Sequence, residues 1–349
     1  MGSVVVTGGA SALGQRVCLL TADDPAVERV VALDVRTPST RGPRIDAAVV
    51  DLAVDDLSAW FAEADAVVHL ASMFGPALDG DELPEGADVV IARRVLDAAA
   101  ANGVQTVVVL SSATVYGAWP NNVVPLTEDA PLRPNPELRF AVEKAEIERL
   151  AGRWREEQPG ATIALLRAAP SVAEDAIGWV AKALDAVDGL PAGDDDPPSQ
   201  FLHLDDLAAA IDTARRGRLD GPLNVAPDKW LEAADRRALA PAPRLRVPER
   251  VAVRVATWRW RFGLAPTPPG ILPYARYAWV VGNDRLRSAG WQPAHTNEEA
   301  FVAGHAAGPL ATMSPRRRQE LALGAAGSLF VAGVAGVTTV LRRRARRDG

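Results

Sequence analysis

A glycine-rich turn near the start of the chain has the residue types that bind a phosphate group. An apolar run at residues 4–6 leads into Thr7-Gly8-Gly9-Ala10-Ser11-Ala12-Leu13-Gly14, where a helical spacing of apolar residues begins. A strand that enters a helix through such a turn lets backbone N–H groups and the positive helix end approach a dinucleotide pyrophosphate. The spacing therefore predicts dinucleotide binding; a purely structural tight turn is the alternative.

A carboxylate follows this turn at the distance that suits a ribose. Asp34 ends the second apolar run, about 20 residues after Gly14, where an acid can accept hydrogen bonds from the adenosine ribose. A ribose without a 2′-phosphate suits this carboxylate, whereas a 2′-phosphate would be repelled. We therefore predict NAD as the cofactor and regard NADP as less favoured, although the nearby Arg36 could weaken that preference.

Two further segments carry groups that could take part in a reaction. The segment Leu110-Ser111-Ser112-Ala113-Thr114-Val115-Tyr116-Gly117 ends an apolar run. The Ser112 hydroxyl could donate to a carbonyl oxygen or accept from an alcohol, or it could simply cap a turn. Downstream, Phe140 and Lys144 are four residues apart in a helical pattern, so their side chains share one face.

Taken together, these segments resemble the extended short-chain dehydrogenases/reductases, the NAD-dependent epimerase/dehydratase family, over roughly residues 3–305. The family's T-G-x-x-G-x-x-G fingerprint is matched by Thr7, Gly8 and Gly14, with Ser11 in place of the middle glycine. A side chain at that position crowds the approach to the pyrophosphate and predicts weaker binding. The resemblance also implies that Asp51 and Leu52 contact the adenine and that the His69-Leu70-Ala71 segment lines the cofactor, with His69 interpreted as a core histidine. The cofactor-binding residues implied are Thr7, Gly8, Ser11, Leu13, Gly14, Asp34, Asp51, Leu52, Leu70, Ala71 and Lys144.

The resemblance assigns the catalytic positions to Ser112 and Lys144. In relatives, the residue at the Ser112 position bonds the reacting oxygen, and a Y-x-x-x-K pair supplies a tyrosine proton and a lysine that contacts the nicotinamide ribose. Here Phe140 occupies the tyrosine position and has no proton to exchange. General acid–base catalysis is worth about 10²–10⁴-fold in rate, so a slow or differently organised reaction is predicted. Thr114 and Asn224 are weaker candidates for contacting the substrate.

Two functions follow from this pattern. The first is an oxidoreductase, epimerase or dehydratase that transfers hydride on a nucleotide-sugar-like hydroxyl or carbonyl substrate. The second is a catalytically impaired, NAD-sensing binding module held at a membrane or a partner by its tail. Relatives often pair through helices, so a homodimer is expected by analogy alone.

The elements that position these residues alternate along the first half of the chain. Apolar β-branched runs predict strands at residues 4–6, 30–33, 47–50, 66–70, 106–110 and 163–166, with helices between them. Continuous apolar strands suit a parallel sheet covered on both faces. The predicted fold class is therefore α/β, a Rossmann-type doubly wound parallel sheet with a smaller C-terminal substrate region and a C-terminal hydrophobic helix. We place a NAD-binding domain at residues 1–170, a substrate-binding region at 171–313 and the tail at 314–349.

Length, charge and composition limit the possible partners and the location of the protein. The chain has 349 residues and a formal net charge of −6, yet residues 314–349 are strongly basic, so the preceding body is acidic. An acidic body argues against nucleic acid as a partner. The N-terminal residues lack a signal-peptide pattern, so we expect the body to be cytoplasmic. The aromatic residues Trp258, Trp260, Tyr274, Tyr277 and Trp279 are interpreted as core rather than ligand contacts.

The tail suggests membrane association. Residues 321–341 carry no charge and are flanked by arginines at 316–318 and 342–344. About 20 apolar residues are enough to cross a bilayer. A helix lying at the membrane interface and a soluble helix docked on a partner both remain open.

Overall fold

Parallel strands form the centre of the molecule. The computed structural model describes residues 2–74, 86–187, 196–239, 249–262 and 268–305. Within these ranges, a seven-stranded sheet has the order β3-β2-β1-β4-β5-β6-β9, and β7 pairs with β8 apart from it. The strands are β1 (Ser3–Thr7), β2 (Arg29–Asp34), β3 (Ile45–Val49), β4 (Ala66–His69), β5 (Thr106–Ser112), β6 (Thr162–Ala168), β7 (Ser171–Val172), β8 (Leu202–His203) and β9 (Gly221–Val225).

Helices cover both faces of this sheet. On one face α1 and α6 lie together, and on the other α3 and α4 do. The helices are α1 (Ala12–Asp23), α2 (Ser58–Phe61), α3 (Ala87–Ala101), α4 (Arg139–Glu157), α5 (Trp179–Val187), α6 (Leu204–Arg216), α7 (Ala233–Leu239), α8 (Glu249–Arg261), α9 (Leu272–Arg276), α10 (Asp284–Ser288) and α11 (Asn297–Gly304), with short 3-10 helices at Ala113–Tyr116 and Pro269–Ile271.

The valine-rich composition of the central strands explains this layering. Successive side chains of a strand point to opposite faces, so Val4 and Val6 pack in the core beneath α1 and α6, whereas Val5 packs beneath α3 and α4. All three are fully buried. Both neighbours of β1 are parallel to it, with Val5 opposite Val31 on β2 and Val67 on β4.

The chain reverses its direction of travel across the sheet between β1 and β4. After β1 it moves outward to β2 and β3, then returns to β4 on the other side of β1. In open α/β sheets, ligands bind in the crevice at the carboxyl ends of the strands where the order reverses. The ends of β1, β2 and β4 are therefore where the predicted cofactor residues should meet.

The predicted fold class, a Rossmann-type α/β sheet, is confirmed. The described residues as far as Gly304 form one compact unit, and the domain boundaries at 170 and 313 remain predictions. The hydrophobic tail helix lies outside the described residues. No helix within the described ranges is long and apolar enough to cross a membrane.

Candidate functional site

Two glycines of the first turn are required by close contacts. Gly8 has a φ of 76°, and a Cβ built on it would lie 2.9 Å from the backbone nitrogen of Ala71. A Cβ on Gly14 would lie 2.2 Å from the carbonyl oxygen of Gly8. Because real Cβ contacts are never this short, only glycine lets α1 approach the end of β1 this closely.

Ser11 caps α1 and leaves the helix end open to an anion. Its hydroxyl donates to the carbonyl of Gly8 at 2.7 Å and accepts from the N–H of Gly14 at 2.9 Å. The N–H groups of Ala12 and Leu13, the first two residues of α1, have no acceptor among the described residues. Unpaired N–H groups at a helix N-terminus bind phosphate, so the turn fits a dinucleotide even with serine at the middle position.

Asp34 stands at the end of β2, beside the same turn. Its carboxylate accepts from the N–H groups of Ala10 and Arg36, each at 3.0 Å, and is only 8% exposed. The guanidinium of Arg36 is 3.6 Å from one carboxylate oxygen. A carboxylate has about four acceptor positions, so these bonds leave capacity for ribose hydroxyls.

The end of β4 packs against the turn from the other side. The hydroxyl of Thr7 and Nδ1 of His69 are 2.8 Å apart, and the N–H of Leu70 donates to the Thr7 carbonyl. Ala71 directs its N–H toward the Thr7 hydroxyl at 3.4 Å. Burial, with a smaller effect of Lys144, lowers the pKa of His69 to about 4, so its ring is neutral at pH 7. His69 is thus a core residue beside the site, as interpreted.

The predicted adenine contacts follow β3. Leu52 is buried, whereas Asp51 is exposed and accepts from the N–H of Ala53 at 2.9 Å. Arg94 of α3 donates to the Leu52 carbonyl at 2.8 Å and anchors this loop. The carboxylate of Asp51 is therefore open to a ligand, whereas the side chain of Leu52 is packed in the core, and the adenine contact remains a prediction.

At the end of β5, Ser112 is oriented by Thr114. The Ser112 oxygen accepts from both the N–H and the hydroxyl of Thr114, at 3.3 and 3.0 Å. In these bonds the serine is an acceptor, so its own hydrogen stays available for another oxygen. Thr114 is fully buried. This placement suits a residue that orients Ser112 better than one that contacts substrate itself.

Phe140 lies in an aromatic cluster that the sequence analysis missed. The ring of Phe140 is 5.3 Å from that of Phe74 and 4.9 Å from that of Trp179, which also contact each other. Phe140 is buried, while Phe74 and Trp179 are half-buried. The three residues come from distant parts of the chain, so no local spacing could have predicted their contact.

Lys144 forms a buried ion pair, which was also missed. Its ammonium is 3.3 Å from the carboxylate of Asp88 on α3 and 5.6 Å from the centre of the Phe140 ring. Asp88 also accepts from the hydroxyl of Ser72 and the N–H of Met73, both at 2.6 Å. The only sequence signal for Asp88 is an acid in the first turn of α3, followed by an apolar run. This carboxylate neutralises the lysine and fixes the segment that follows β4.

Asn224 belongs to a buried network rather than to an open surface. Its side chain accepts from the Tyr116 hydroxyl at 2.7 Å and donates to the Leu126 carbonyl at 3.1 Å, and the residue is fully buried. Burial raises the pKa of Tyr116 to about 12, and Arg167 donates to the same hydroxyl. Both polar groups of Asn224 are therefore used within the protein, and the geometry gives no support to its predicted substrate contact.

The sheet, the open turn and the acid at the end of β2 define a dinucleotide-binding α/β protein. The chain belongs to the NAD dependent epimerase/dehydratase family, whose model matches residues 4–226. The resemblance inferred from sequence and the predicted cofactor, NAD, are both confirmed. An uncharacterised protein of Mycobacterium tuberculosis (strain H37Rv) is 26% identical over 310 residues, which cover 85% of this chain and 82% of that protein. An uncharacterised protein of Mycobacterium bovis is identical to the same extent.

Solved structures share the fold at lower identity. A UDP-galactose 4-epimerase is 23% identical with a TM-score of 0.61, covering 86% of this chain and 97% of that one. The Thermus thermophilus UDP-glucose 4-epimerase in complex with NAD is 20% identical with a TM-score of 0.63, at the same coverage. A Tyr-to-Phe mutant of the Bacillus cereus UDP-glucuronic acid 4-epimerase, in complex with NAD and UDP-4-deoxy-4-fluoro-glucuronic acid, is 16% identical with a TM-score of 0.64, covering 87% and 98%.

Proposed function

We propose that this protein transfers hydride between NAD and a hydroxyl or carbonyl group of a nucleotide-sugar-like substrate. The observation that carries the proposal is the Ser112 hydroxyl at the end of β5, oriented by Thr114 with its hydrogen free to donate. Family membership and structural neighbours that are sugar-nucleotide epimerases support the substrate class.

The turn after β1 would hold the cofactor. The N–H groups of Ala12 and Leu13 face the place of the pyrophosphate, and Asp34 offers acceptors to the adenosine ribose. NAD, when bound, accepts or donates the hydride. The buried pair of Lys144 and Asp88 is net neutral, so it can position a ribose hydroxyl without adding a charge to the site.

Ser112 would hold the reacting oxygen of the substrate. A hydroxyl that donates to a carbonyl oxygen stabilises the charge that develops there as hydride arrives. Phe140 fills the tyrosine position with a ring that packs against Phe74 and Trp179 and excludes water. Because a phenyl ring carries no exchangeable proton, we expect turnover to be slow.

Restoring the hydroxyl tests the proposal. Phe140→Tyr should raise kcat by up to about 10²–10⁴-fold, because a phenol near Lys144 restores general acid–base catalysis. NADH fluorescence titration and turnover of UDP-glucose and UDP-galactose would be measured on both proteins. A matched control is Phe74→Tyr, which adds the same oxygen to a neighbouring ring and should leave kcat unchanged. Intact NADH binding with no gain in Phe140→Tyr would contradict the enzymatic proposal.

The same geometry favours one other function, an NAD-binding module without turnover. Phe140 is held in an aromatic cluster and Lys144 is neutralised by Asp88, so the two positions that move a proton in relatives are both occupied by other interactions. In the Bacillus cereus neighbour, a Tyr-to-Phe mutant is in complex with both NAD and a sugar nucleotide. Binding without chemistry is thus compatible with this fold, and saturable NADH binding without turnover in Phe140→Tyr would favour the module.

A further inference from the structure

One face of α8 exposes apolar side chains that have no part in the proposed function. Trp258 and Phe262 are 56% and 62% exposed, and Val251 is 42% exposed. The helix sits on the body through Ala252 and Ala256, which are 3% and 5% exposed. The expectation that Trp258 is a core residue is therefore wrong, because the short alanines form the packing face and turn the tryptophan outward.

The exposed apolar residues form a row. Val251, Trp258 and Phe262 are spaced seven and four residues apart, which places them along one side of a helix. The rings of Trp258 and Phe262 also contact each other, with centres 5.4 Å apart. Trp and Phe together supply a large apolar area, so leaving both in water calls for an explanation.

A row of arginines lies beside the apolar one. Arg250, Arg254 and Arg261 each lie next to an apolar residue of the row in helical position, and all three are exposed. Within the described residues, none of the three forms an ion pair with a carboxylate. The α8 face, defined as these arginines with Val251, Trp258 and Phe262, is thus basic and apolar at once.

We propose that the α8 face binds an anionic lipid surface. Helices that lie in a bilayer interface carry aromatic side chains beside exposed arginines. The aromatic rings insert among the acyl chains, and the arginines contact the anionic headgroups. Charge favours this occupant, because the exposed arginines of the α8 face attract anionic headgroups. The rest of the molecule before residue 314 is acidic, so repulsion would keep other faces away from such a surface.

A second copy of the protein and its own C-terminal tail fit the α8 face less well, because both would bring positive charge to its arginines. A second copy that docks through the same face would bring two arginine rows together. Residues 321–341 are apolar, but arginines flank them on both sides. The same tail strengthens the lipid proposal, since stable membrane binding takes two signals and the chain has a second basic and apolar segment.

Vesicle sedimentation of the full chain tests this. Vesicles of phosphatidylcholine alone are compared with vesicles of equal parts phosphatidylcholine and phosphatidylglycerol, at low and high salt. We expect binding to the anionic vesicles only, weakened by salt. Arg250→Gln with Arg254→Gln should lower the partition coefficient roughly 25-fold, at about fivefold for each arginine near the surface. Trp258→Ser with Phe262→Ser should lower it about tenfold or more.

Matched variants separate the effect of the α8 face from general surface effects and from binding by the tail. Arg149→Gln with Arg153→Gln removes the same charge from exposed positions of α4, and Val54→Ser with Val123→Ser removes exposed apolar groups elsewhere. Both should bind vesicles like the unchanged protein. Equal binding by the α8 variants would overturn the proposal, as would absence of binding to anionic vesicles. So would α8 variants that change only the oligomeric state, measured by light scattering. NADH binding, measured in parallel, is expected to be unchanged, so this test is independent of the proposed function.

Discussion

Phe140 stands where the family resemblance implies a tyrosine, and it lacks the one oxygen atom that would carry an exchangeable proton. The structure shows what surrounds this ring: Phe74 and Trp179 pack against it, and the ammonium of Lys144, paired with Asp88, lies 5.6 Å from its centre. A ring in this setting keeps the volume filled, so the loss of chemistry need not cost stability. Binding and turnover can therefore be separated experimentally at this residue.

At Asp34, we expect a single carboxylate to set the preference for NAD over NADP. Asp34→Ser should weaken NADH binding about tenfold or more, because a charge-assisted hydrogen bond to the ribose is lost. NADPH should bind more tightly, since the repulsion is removed and Arg36 is close enough to contact a 2′-phosphate. Fluorescence titration with both nucleotides gives the ratio. Asp46→Asn, on the exposed side of β3, is the control, and an unchanged ratio in Asp34→Ser would show that the acid does not face the ribose.

His69 should make stability depend on pH. Its pKa is lowered from 6.5 to about 4, chiefly by burial. Between those pH values the unfolded chain binds a proton that the folded chain does not, so stability falls as pH falls through this window, by about 1.4 kcal/mol per pH unit at most. His69→Gln should remove that part of the slope in urea unfolding at pH 4.5, 5.5 and 7. Parallel curves for the two proteins would show that His69 is not buried as a neutral ring.

At the scale of elements, α1 begins with a compromise between capping and ligand binding. Ser11 satisfies the N–H of Gly14 and bonds back to Gly8, which stabilises the first turn. A glycine in its place would lose the cap but let a pyrophosphate approach more closely. In this turn Ser11 stabilises the helix, and the N–H groups of the next two residues, Ala12 and Leu13, are left open to a ligand.

Replacing Ser11 measures that compromise. Ser11→Gly should tighten NADH binding, while the free energy of unfolding without ligand falls by only a few tenths of a kcal/mol. Ser11→Ala keeps the Cβ and removes the cap, so it should cost about 1 kcal/mol without improving affinity. Titration and urea unfolding of both variants separate the two effects. Weaker NADH binding by Ser11→Gly would mean that the serine hydroxyl itself contacts the cofactor.

The local pattern of apolar residues explains how much of the fold could be predicted from the sequence. The runs at residues 4–6, 30–33 and 106–110 became β1, β2 and β5, and no bound moved by more than two residues. The agreement is close because β-branched residues buried on both faces leave few alternatives to a parallel strand. Two acids, Asp205 and Asp206, stand in the first turn of α6, but neither of them caps the helix. His203 caps it instead, since Asp206 is used by the backbone N–H groups of Ala294 and His295.

The residues missed at the site share a different property. Asp88 meets Lys144 across 56 positions of sequence, and Trp179 of α5 meets Phe74, which is still further away along the chain. Spacing arguments work within one element, whereas these contacts exist only once α3, α4 and α5 have docked. Motifs therefore predicted the cofactor side of the site, and tertiary packing decided the substrate side.

For the molecule as a whole, one buried arginine joins the beginning of the chain to its later part. The guanidinium of Arg215 on α6 is 2.7 Å from Asp24, which ends α1, and 2.7 Å from Asp212. It is only 1% exposed, and it lowers the pKa of Asp24. Arg216 contacts the same two carboxylates but is 52% exposed. The two neighbours thus provide the same charge in different surroundings.

This pair tests whether α1 and α6 unfold together with the sheet. Arg215→Leu should lower the free energy of unfolding by about 3–5 kcal/mol, because two carboxylates then lose their buried partner, whereas Arg216→Leu should cost less than about 1 kcal/mol. If the face formed by α1 and α6 is part of one cooperative unit, urea unfolding of Arg215→Leu should remain a single transition, with fluorescence and circular dichroism coinciding. Two separate transitions would mean that α6 and the later elements fold apart from the first β–α unit. NADH should then protect only the transition that contains the glycine turn, because a ligand stabilises only the state that binds it.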